Sequence, residues 1–227
     1  MKTLFLAGAL VLASSSAWAT IAVSYSIDGG GAVTCATSAG NDLADCGTFV
    51  NGPFTINSLA ASSNSPGTTS LSDLFSATTS LTNTSSATHT IEFFIYADGF
   101  NVPTSGTLTS SLGVTVVSGS AANTVTDKSC LSTTAGSVCP GGSIVAGPSS
   151  PVITSPGASS ASVTALVSSI TAPYTVSEDV KFTLGAGSSV NFSASTFTSA
   201  VPEPMTFSLM GAGLLGLGLL RKRISRS

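Results

Sequence analysis

The segment HTIEFFIYADGF, residues 89–100, carries the pattern that decides the fold of this chain. Ile91, Phe93 and Ile95 fall on one face of an extended backbone, and the residues between them fall on the other. Alternation with a period of two predicts a β-strand that buries one face. The pair Asp98-Gly99 near its end is a turn signal, so we expect the chain to reverse there.

The same alternation recurs between residues 20 and 200, which we take as the body of the protein. It is clear in the segments TIAVSYSI (20–27), GTLTSSLGVTVVSG (106–119), DVKFTLG (179–185) and SVNFSAS (189–195). Ser, Thr and Gly are frequent between these segments and on one face of each. Short alternating strands separated by turn residues predict an all-β chain, folded as a single antiparallel β-sandwich without a long amphipathic helix.

Two parts of the body alternate less clearly. Residues 62–90 contain 17 Ser or Thr in 29 positions, and within them SLSDLFSATTSL (70–81) predicts a helical turn through Leu71, Leu74 and Phe75. Residues 131–162 are rich in Gly and Ser and contain four prolines. We therefore expect the second part to be a long loop.

Charge is scarce, at 7% of all residues, and the body is acidic. Its only cations are Lys128 and Lys181, against nine aspartates and glutamates. Phosphate binding requires clustered cations, so nucleic acid is excluded as a partner, and so is electrostatic docking on an anionic bilayer.

The N-terminal segment MKTLFLAGALVLASSSAWAT has the composition of a secretory signal. Lys2 is followed by an apolar run and then by Ala17-Trp18-Ala19, which has the A-x-A form of a cleavage site. We expect residues 1–19 to be removed, which leaves Thr20 as the first residue. The alternative is a buried N-terminal helix, but the run SSSAWAT interrupts that pattern at the expected cleavage point.

Four cysteines in an exported chain predict disulfides. The local spacing favours Cys35–Cys46 and Cys130–Cys139, and the two other connectivities stay open. A zinc site is not expected, because the chain has no C-x-x-C spacing.

The C-terminal segment, residues 201–227, predicts a short transmembrane helix. Met205–Leu220 is a run of 16 uncharged residues. As a helix it spans about 24 Å, which is shorter than the hydrocarbon core of about 30 Å. The basic cluster Arg221, Lys222 and Arg223 stays on the cytoplasmic side, so the body lies outside. The extended segment Pro202-Glu203-Pro204 precedes the run and is accessible to a processing enzyme, or serves as a simple linker.

Together, VPEP at Val201–Pro204, the Leu/Gly-rich run and the terminal RKR resemble the PEP-CTERM sorting signal. The resemblance covers about 27 residues and implies export across the inner membrane of a Gram-negative bacterium with an extracellular polysaccharide matrix. It also implies an exosortase as processing partner, Pro202, Glu203 and Pro204 as the recognition motif, and the basic cluster as a stop-transfer signal. The same tail occurs on proteins described as ice-binding. It is an address and does not define the activity of the body.

No arrangement of residues in the body predicts catalysis. His89 is the only histidine, and neither H-E-x-x-H nor G-x-S-x-G occurs. The acids Asp28, Asp42, Asp45 and Asp98 offer oxygen ligands for Ca²⁺, although a solvated disulfide loop is the favoured explanation for Asp42 and Asp45. We expect no catalytic residue, no metal site and no cofactor.

These features favour a structural or adhesive protein of the cell surface or extracellular matrix. The alternative is a module that binds a polysaccharide or ice, and a secreted hydrolase is the least favoured class. Sandwich domains bind glycans through exposed aromatic side chains, for which the candidates are Phe94, Tyr96, Phe100 and Tyr174. Core packing is the alternative role for at least half of these four.

The sorting interpretation predicts that the tail is a temporary anchor. Protein from the native host should end close to Glu203 and lie outside the inner membrane, because a protease acts at the Pro-Glu-Pro motif. Glu203→Ala should keep the longer form in that membrane. Intact mass and membrane fractionation measure both results, and wild-type protein that keeps Ser227 in the inner membrane would show an ordinary anchor.

Overall fold

The computed structural model describes residues 19–40, 42–119, 123–151, 153 and 156–200. The predicted cleavage residue Ala17, the Pro202–Pro204 motif, the C-terminal helix and the basic cluster lie outside the described residues. No helix among the residues described is long and apolar enough to span a membrane.

The described part of the chain forms twelve β-strands. In chain order they are β1 (Thr20–Ile27), β2 (Val33–Ala39), β3 (Leu43–Asn51), β4 (Phe54–Ser63), β5 (Leu71–Asn83), β6 (His89–Phe100), β7 (Gly106–Ser118), β8 (Thr124–Ser132), β9 (Ile144–Ser149), β10 (Gly157–Val167), β11 (Tyr174–Leu184) and β12 (Ser189–Ser199).

The strands form two sheets of six, each antiparallel throughout. Sheet I has the order β2-β1-β6-β11-β8-β9, and sheet II has the order β10-β7-β12-β5-β4-β3. One face of each sheet is buried against the other sheet. The predicted all-β, antiparallel sandwich is therefore confirmed for the body.

Three local predictions are wrong. Residues 71–83 form strand β5 and not a helical turn, because Leu74 points inward while Phe75 points out. Residues 131–162 contain β9 and β10 and are not one long loop. In both regions Ser and Ala occupy inward positions. Buried and exposed residues still alternate along these strands, but apolar and polar residues do not, so the sequence pattern does not indicate a strand. Asp98-Gly99 lies within β6, opposite a register shift in β11, and forms a bulge there instead of a turn.

An aromatic cluster occupies one part of the sandwich interior. Phe93 of β6 and Phe182 of β11 come from sheet I, and Phe192 of β12 comes from sheet II. Their ring centroids are 5.0, 5.5 and 6.3 Å apart, and all three side chains are buried. This cluster joins the central strands of the two sheets by apolar contact.

Another part of the interior is polar. It contains two carboxyl and four hydroxyl side chains, all fully buried, which we call the buried polar band: Ser76, Ser110, Asp127, Ser129, Glu178 and Thr196. Three hydrogen bonds cross between the sheets within it. Ser76 donates to Glu178 at 2.6 Å, Ser110 donates to Asp127 at 2.5 Å, and the hydroxyls of Ser129 and Thr196 are 2.5 Å apart. The two sheets are thus joined by directional bonds as well as by apolar packing.

The two carboxyl groups of the band have no cationic partner among the described residues. Both body lysines bind outward-facing acids, Lys128 at 2.8 Å from Asp179 and Lys181 at 3.6 Å from Glu92. Burial raises the pKa of Asp127 to about 7 and the pKa of Glu178 to about 8. The charge on Asp127 raises the pKa of Glu178 further, whereas the bond from Ser76 lowers it.

The two disulfides pair the cysteines locally, as their spacing favours. Cys35–Cys46 joins β2 to β3, and so ties an edge strand of sheet I to an edge strand of sheet II. Cys130–Cys139 holds the segment after β8 against sheet I. Such bonds are typical of an oxidising compartment.

We predict that the free energy of unfolding falls as pH rises. In an unfolded chain these carboxyl groups titrate near pH ~4, but in the fold the pKa values of Asp127 and Glu178 are about 7 and about 8. Between these unfolded and folded pKa values the folded chain binds more protons than the unfolded chain. The stability that the two protonated carboxyl groups contribute is therefore complete at the acidic end of this range, and it is lost as pH rises through the folded pKa values. Urea unfolding at about pH 5 and about pH 9 measures a loss of a few kcal/mol.

Asp127→Asn tests the origin of this pH dependence. The amide oxygen still accepts a hydrogen bond from Ser110 but the group no longer titrates, so the slope of stability against pH should decrease. Asp42→Asn removes an exposed acid and should leave the slope unchanged. Stability that is constant or rises across this range in the wild type would contradict the assignment.

We also predict that the joint substitution Cys35→Ser and Cys46→Ser lowers the free energy of unfolding by about 2–3 kcal/mol, because a loop closure in the unfolded chain is lost. Denaturant unfolding with and without reductant measures this effect. Unreduced, denatured wild-type protein should contain no thiol that an alkylating reagent can modify. Modification of four thiols would show that neither bridge forms.

Candidate functional site

The outer face of sheet I is charged and partly covered. Lys128, Asp179, Lys181 and Glu92 form two ion pairs on its central strands. The segment after β8 folds over the same face, where Gly136 donates its backbone N–H to both carboxylate oxygens of Asp98 at 3.1 Å. Its own ion pairs and loop therefore occupy part of this face.

The outer face of sheet II has the opposite character. Its six strands contain no Lys, Arg or His, and their only acids are Asp45 and Asp73. The outward positions of β7, β10 and β12 are mostly Ser, Thr, Ala, Gly or Asn. The sandwich thus presents one charged face and one face that is almost uncharged.

A shallow trough crosses this uncharged face perpendicular to the strands. Its floor is a row of five register partners with small side chains or none: Ser160 of β10, Gly113 of β7, Ser193 of β12, Ala77 of β5 and Ala60 of β4. Strands spaced by about 4.8 Å make this row about 19 Å long. We call it the sheet II trough.

One half of the sheet II trough is polar. Over β10, β7 and β12 it widens into a hollow of about 490 Å³. Hydroxyl and amide groups line it, from Thr115, Ser160, Asn191 and Ser193. Among the described residues none of these four side chains has a hydrogen-bond partner. They present donors and acceptors to whatever occupies the hollow.

The other half of the trough is apolar. Over β5, β4 and the start of β3 lies a hollow of about 290 Å³. Phe75 and Leu43, exposed by 41% and 56%, stand in one row with Ser62 between them. Ala60 and Ala77 form the floor beside that row. The two hollows lie over neighbouring strands, because Ser193 of the first and Ala77 of the second are register partners.

The aromatic residues proposed from the sequence as glycan contacts do not line this trough. Phe100 and Tyr174 are buried and stack on each other with ring centroids 5.7 Å apart, so the core-packing alternative holds for these two. Phe94 and Tyr96 are half-buried on the outer face of sheet I. The structure thus offers a different aromatic residue, Phe75, as the exposed ring of the candidate site.

The acids considered for Ca²⁺ are dispersed. Asp28 accepts a hydrogen bond from the backbone of Thr90 and lies 2.7 Å from the ring of His89, contacts that lower the pKa of Asp28. Asp45 accepts a hydrogen bond from the backbone N–H of Gly47 at 2.7 Å. No group of three or more potential metal ligands occurs among the described residues.

His89 lies at the first position of β6. Its ring nitrogen Nδ1 faces the Asp28 carboxylate, but no described hydrogen bond joins the ring to a serine hydroxyl. A histidine–carboxylate pair without a nucleophile does not form a catalytic triad.

Comparisons with known proteins assign no family. No family model matches the chain, and no curated protein matches it. Among solved structures, the module TmCBM61 in complex with β-1,4-galactotriose has a TM-score of 0.33 and 9% identity, covering 61% of this chain and 86% of that one. A second solved structure concerns the promiscuous specificity of carbohydrate-binding modules from the β-sandwich superfamily. It has a TM-score of 0.32 and 11% identity, and the match covers 80% of this chain and 85% of that one. At this level of similarity neither comparison assigns a ligand.

Sequence reasoning missed the trough for an identifiable reason. Phe75 lies in the segment for which the sequence predicts a helical turn, so its outward direction on β5 was not recognised. The floor residues come from five separate strands and form one row only through strand register. The only signal in the sequence is the run of small residues at outward positions.

Proposed function

We propose that the body is a non-catalytic module that binds a neutral polysaccharide, and that the sheet II trough is its binding site. The observation that carries the proposal is an almost uncharged row of small residues about 19 Å long. Hydroxyl and amide groups without a hydrogen-bond partner among the described residues line the hollow over one half, and an exposed aromatic ring stands in the other.

A sugar chain matches both halves of this surface. Each pyranose ring has hydroxyl groups at its rim, which pair with the side chains of Asn191, Ser193 and Thr115. It also has a face of C–H bonds, which packs on an aromatic ring such as that of Phe75. A trough that crosses five strands has room for several sugar units in a row.

The charge of the site favours a neutral chain over an acidic one. The strands of sheet II contain two acids and no cation. A polymer of uronic acids or a sulfated glycan would meet only like charge, which opposes its binding. Neutral hexose or N-acetylhexosamine polymers meet no such repulsion.

The proposal is for binding without hydrolysis. Most glycosidases place two carboxyl groups on either side of the scissile bond. The floor of the trough from β10 to β4 contains none. A secreted hydrolase therefore remains the least favoured function.

Binding of this kind agrees with the role that the sequence predicts for an exported chain. A protein that leaves the inner membrane and holds a neutral glycan adheres to the extracellular polysaccharide matrix. The adhesive function and the polysaccharide-binding function then become one function, in which the sorting tail delivers the chain and the trough retains it.

Ice binding is the alternative that the same face suggests. Its outward hydroxyls form rows such as Ser162, Ser111 and Ser195 across three strands. An ice surface is flat, however, and the hollow over Gly113 and the ring of Phe75 interrupt flat contact. We therefore favour the glycan, and an ice-recrystallisation assay is the test that separates the two.

We predict that Phe75→Ala weakens binding to neutral polysaccharide by about tenfold, equivalent to about 1.4 kcal/mol. The variant removes the exposed ring and leaves the inward face of β5 unchanged. Affinity electrophoresis in gels that contain soluble neutral glycans measures the change. Leu166→Ala is the matched control, because Leu166 is 76% exposed on the same sheet but lies outside the trough.

A second variant tests the floor. Ser193→Tyr fills the trough at its midpoint and should abolish retention, whereas Thr126→Tyr adds the same ring to an outward position of sheet I and should not. Unaltered binding in Ser193→Tyr would place the glycan elsewhere. If the wild type binds no neutral glycan and inhibits ice recrystallisation, the alternative function is correct.

A further inference from the structure

The two halves of the sheet II trough differ more than an unsubstituted glycan requires. A chain of plain hexoses presents the same hydroxyls and C–H faces to both halves. The half over β10, β7 and β12 is lined by polar groups, whereas the half over β5 and β4 has Phe75 and Leu43 at its margins and two alanines in its floor. The second half is therefore suited to an apolar group on the ligand.

The shape of the apolar half sets the size of that group. Leu43 and Phe75 are both register neighbours of Ser62, one on each side, so they are separated by two strand spacings, or about 9.6 Å. Ser62 lies between them, and Ala60 and Ala77 lower the surface beside that row. This leaves a small apolar seat, open to solvent, within the apolar hollow.

One polar group of the seat complements an amide. Ser62 lies between Leu43 and Phe75, has no side-chain partner among the described residues and is free to donate. An acetamido group has one carbonyl acceptor and one methyl group. The carbonyl matches Ser62, and the methyl group matches the apolar seat.

We propose that the trough selects a neutral glycan built of N-acetylated sugars, and that the acetyl methyl group is seated between Leu43 and Phe75. This inference rests on the proposed polysaccharide-binding function and adds the substrate class to it. The methyl group covers apolar surface that an unsubstituted sugar leaves exposed to water.

Electrostatic attraction is an alternative cause of glycan binding, and the experiment must distinguish it from seating of the acetyl group. The body has two lysines against nine acids, so a deacetylated, cationic glycan would be attracted to it without any specific site. That attraction is screened by salt, whereas seating of a methyl group is not. Affinities must therefore be compared at both low and high ionic strength.

The test is calorimetric titration of the exported body with three β-1,4-linked hexamers, of N-acetylglucosamine, glucose and glucosamine, in about 0.15 M and about 1 M salt. We expect the acetylated hexamer to bind about tenfold or more tightly than the glucose hexamer at both salt concentrations, since one small apolar group in a fitting pocket gives at least that factor. Leu43→Ser should reduce the affinity for the acetylated hexamer to that for the glucose hexamer and leave the latter unchanged. Val50→Ser is the matched control, because Val50 is 70% exposed on the same strand but outside the trough.

Each other outcome has a defined meaning. Equal affinity for the acetylated and glucose hexamers overturns the acetyl seat but leaves the polysaccharide-binding function intact. Preference for the glucosamine hexamer that disappears in high salt also overturns it and shows attraction by charge. If no neutral glycan binds and Ser193→Tyr changes nothing, the proposed function itself fails.

Discussion

Hydrogen bonding between hydroxyl and carboxyl groups inside the sandwich is the constraint on which the rest of this structure depends. Polar groups removed from water are stabilised by bonding to one another, and here one oxygen of each carboxyl group bonds to a hydroxyl of the opposite sheet, whereas Asp127 Oδ1 and Glu178 Oε1 have no partner among the described residues. Apolar side chains tolerate small displacements, but a short hydrogen bond has a direction and a length. The bonds of the buried polar band therefore fix how sheet II lies on sheet I, beyond what the aromatic cluster achieves.

The same strands connect this interior to the outer surface. Ser76, Ser110 and Thr196 bond inward from β5, β7 and β12. Those three strands also supply Ala77, Gly113 and Ser193 to the floor of the trough, on the opposite face. The strands that hold the two sheets in place are thus the strands that form the candidate site, so the site is built on the most constrained part of sheet II.

The fold class could be predicted from the sequence because several strands alternate apolar and polar residues strictly. Segment 89–100 is the clearest, and it forms a central strand of sheet I. The prediction failed where the interior itself is polar. Ser72 and Ser76 point inward from β5, so its inward and outward residues do not differ in hydrophobicity as the period-two pattern requires. The trough could not be predicted, because strand register and not chain distance brings Ser160, Gly113 and Ala60 into one row.

The position of β12 in its sheet has a mechanical consequence. β12 lies between β7 and β5, bonded to both along nearly its whole length, and the described chain ends at residue 200, just after this strand. A force applied at residue 200 along the direction of β12 loads the hydrogen bonds on both sides in shear, all at once. A strand peeled from an edge would lose its bonds one after another. A polysaccharide held over Ser193, as we propose, would therefore load a central strand whose bonds to β7 and β5 share the force.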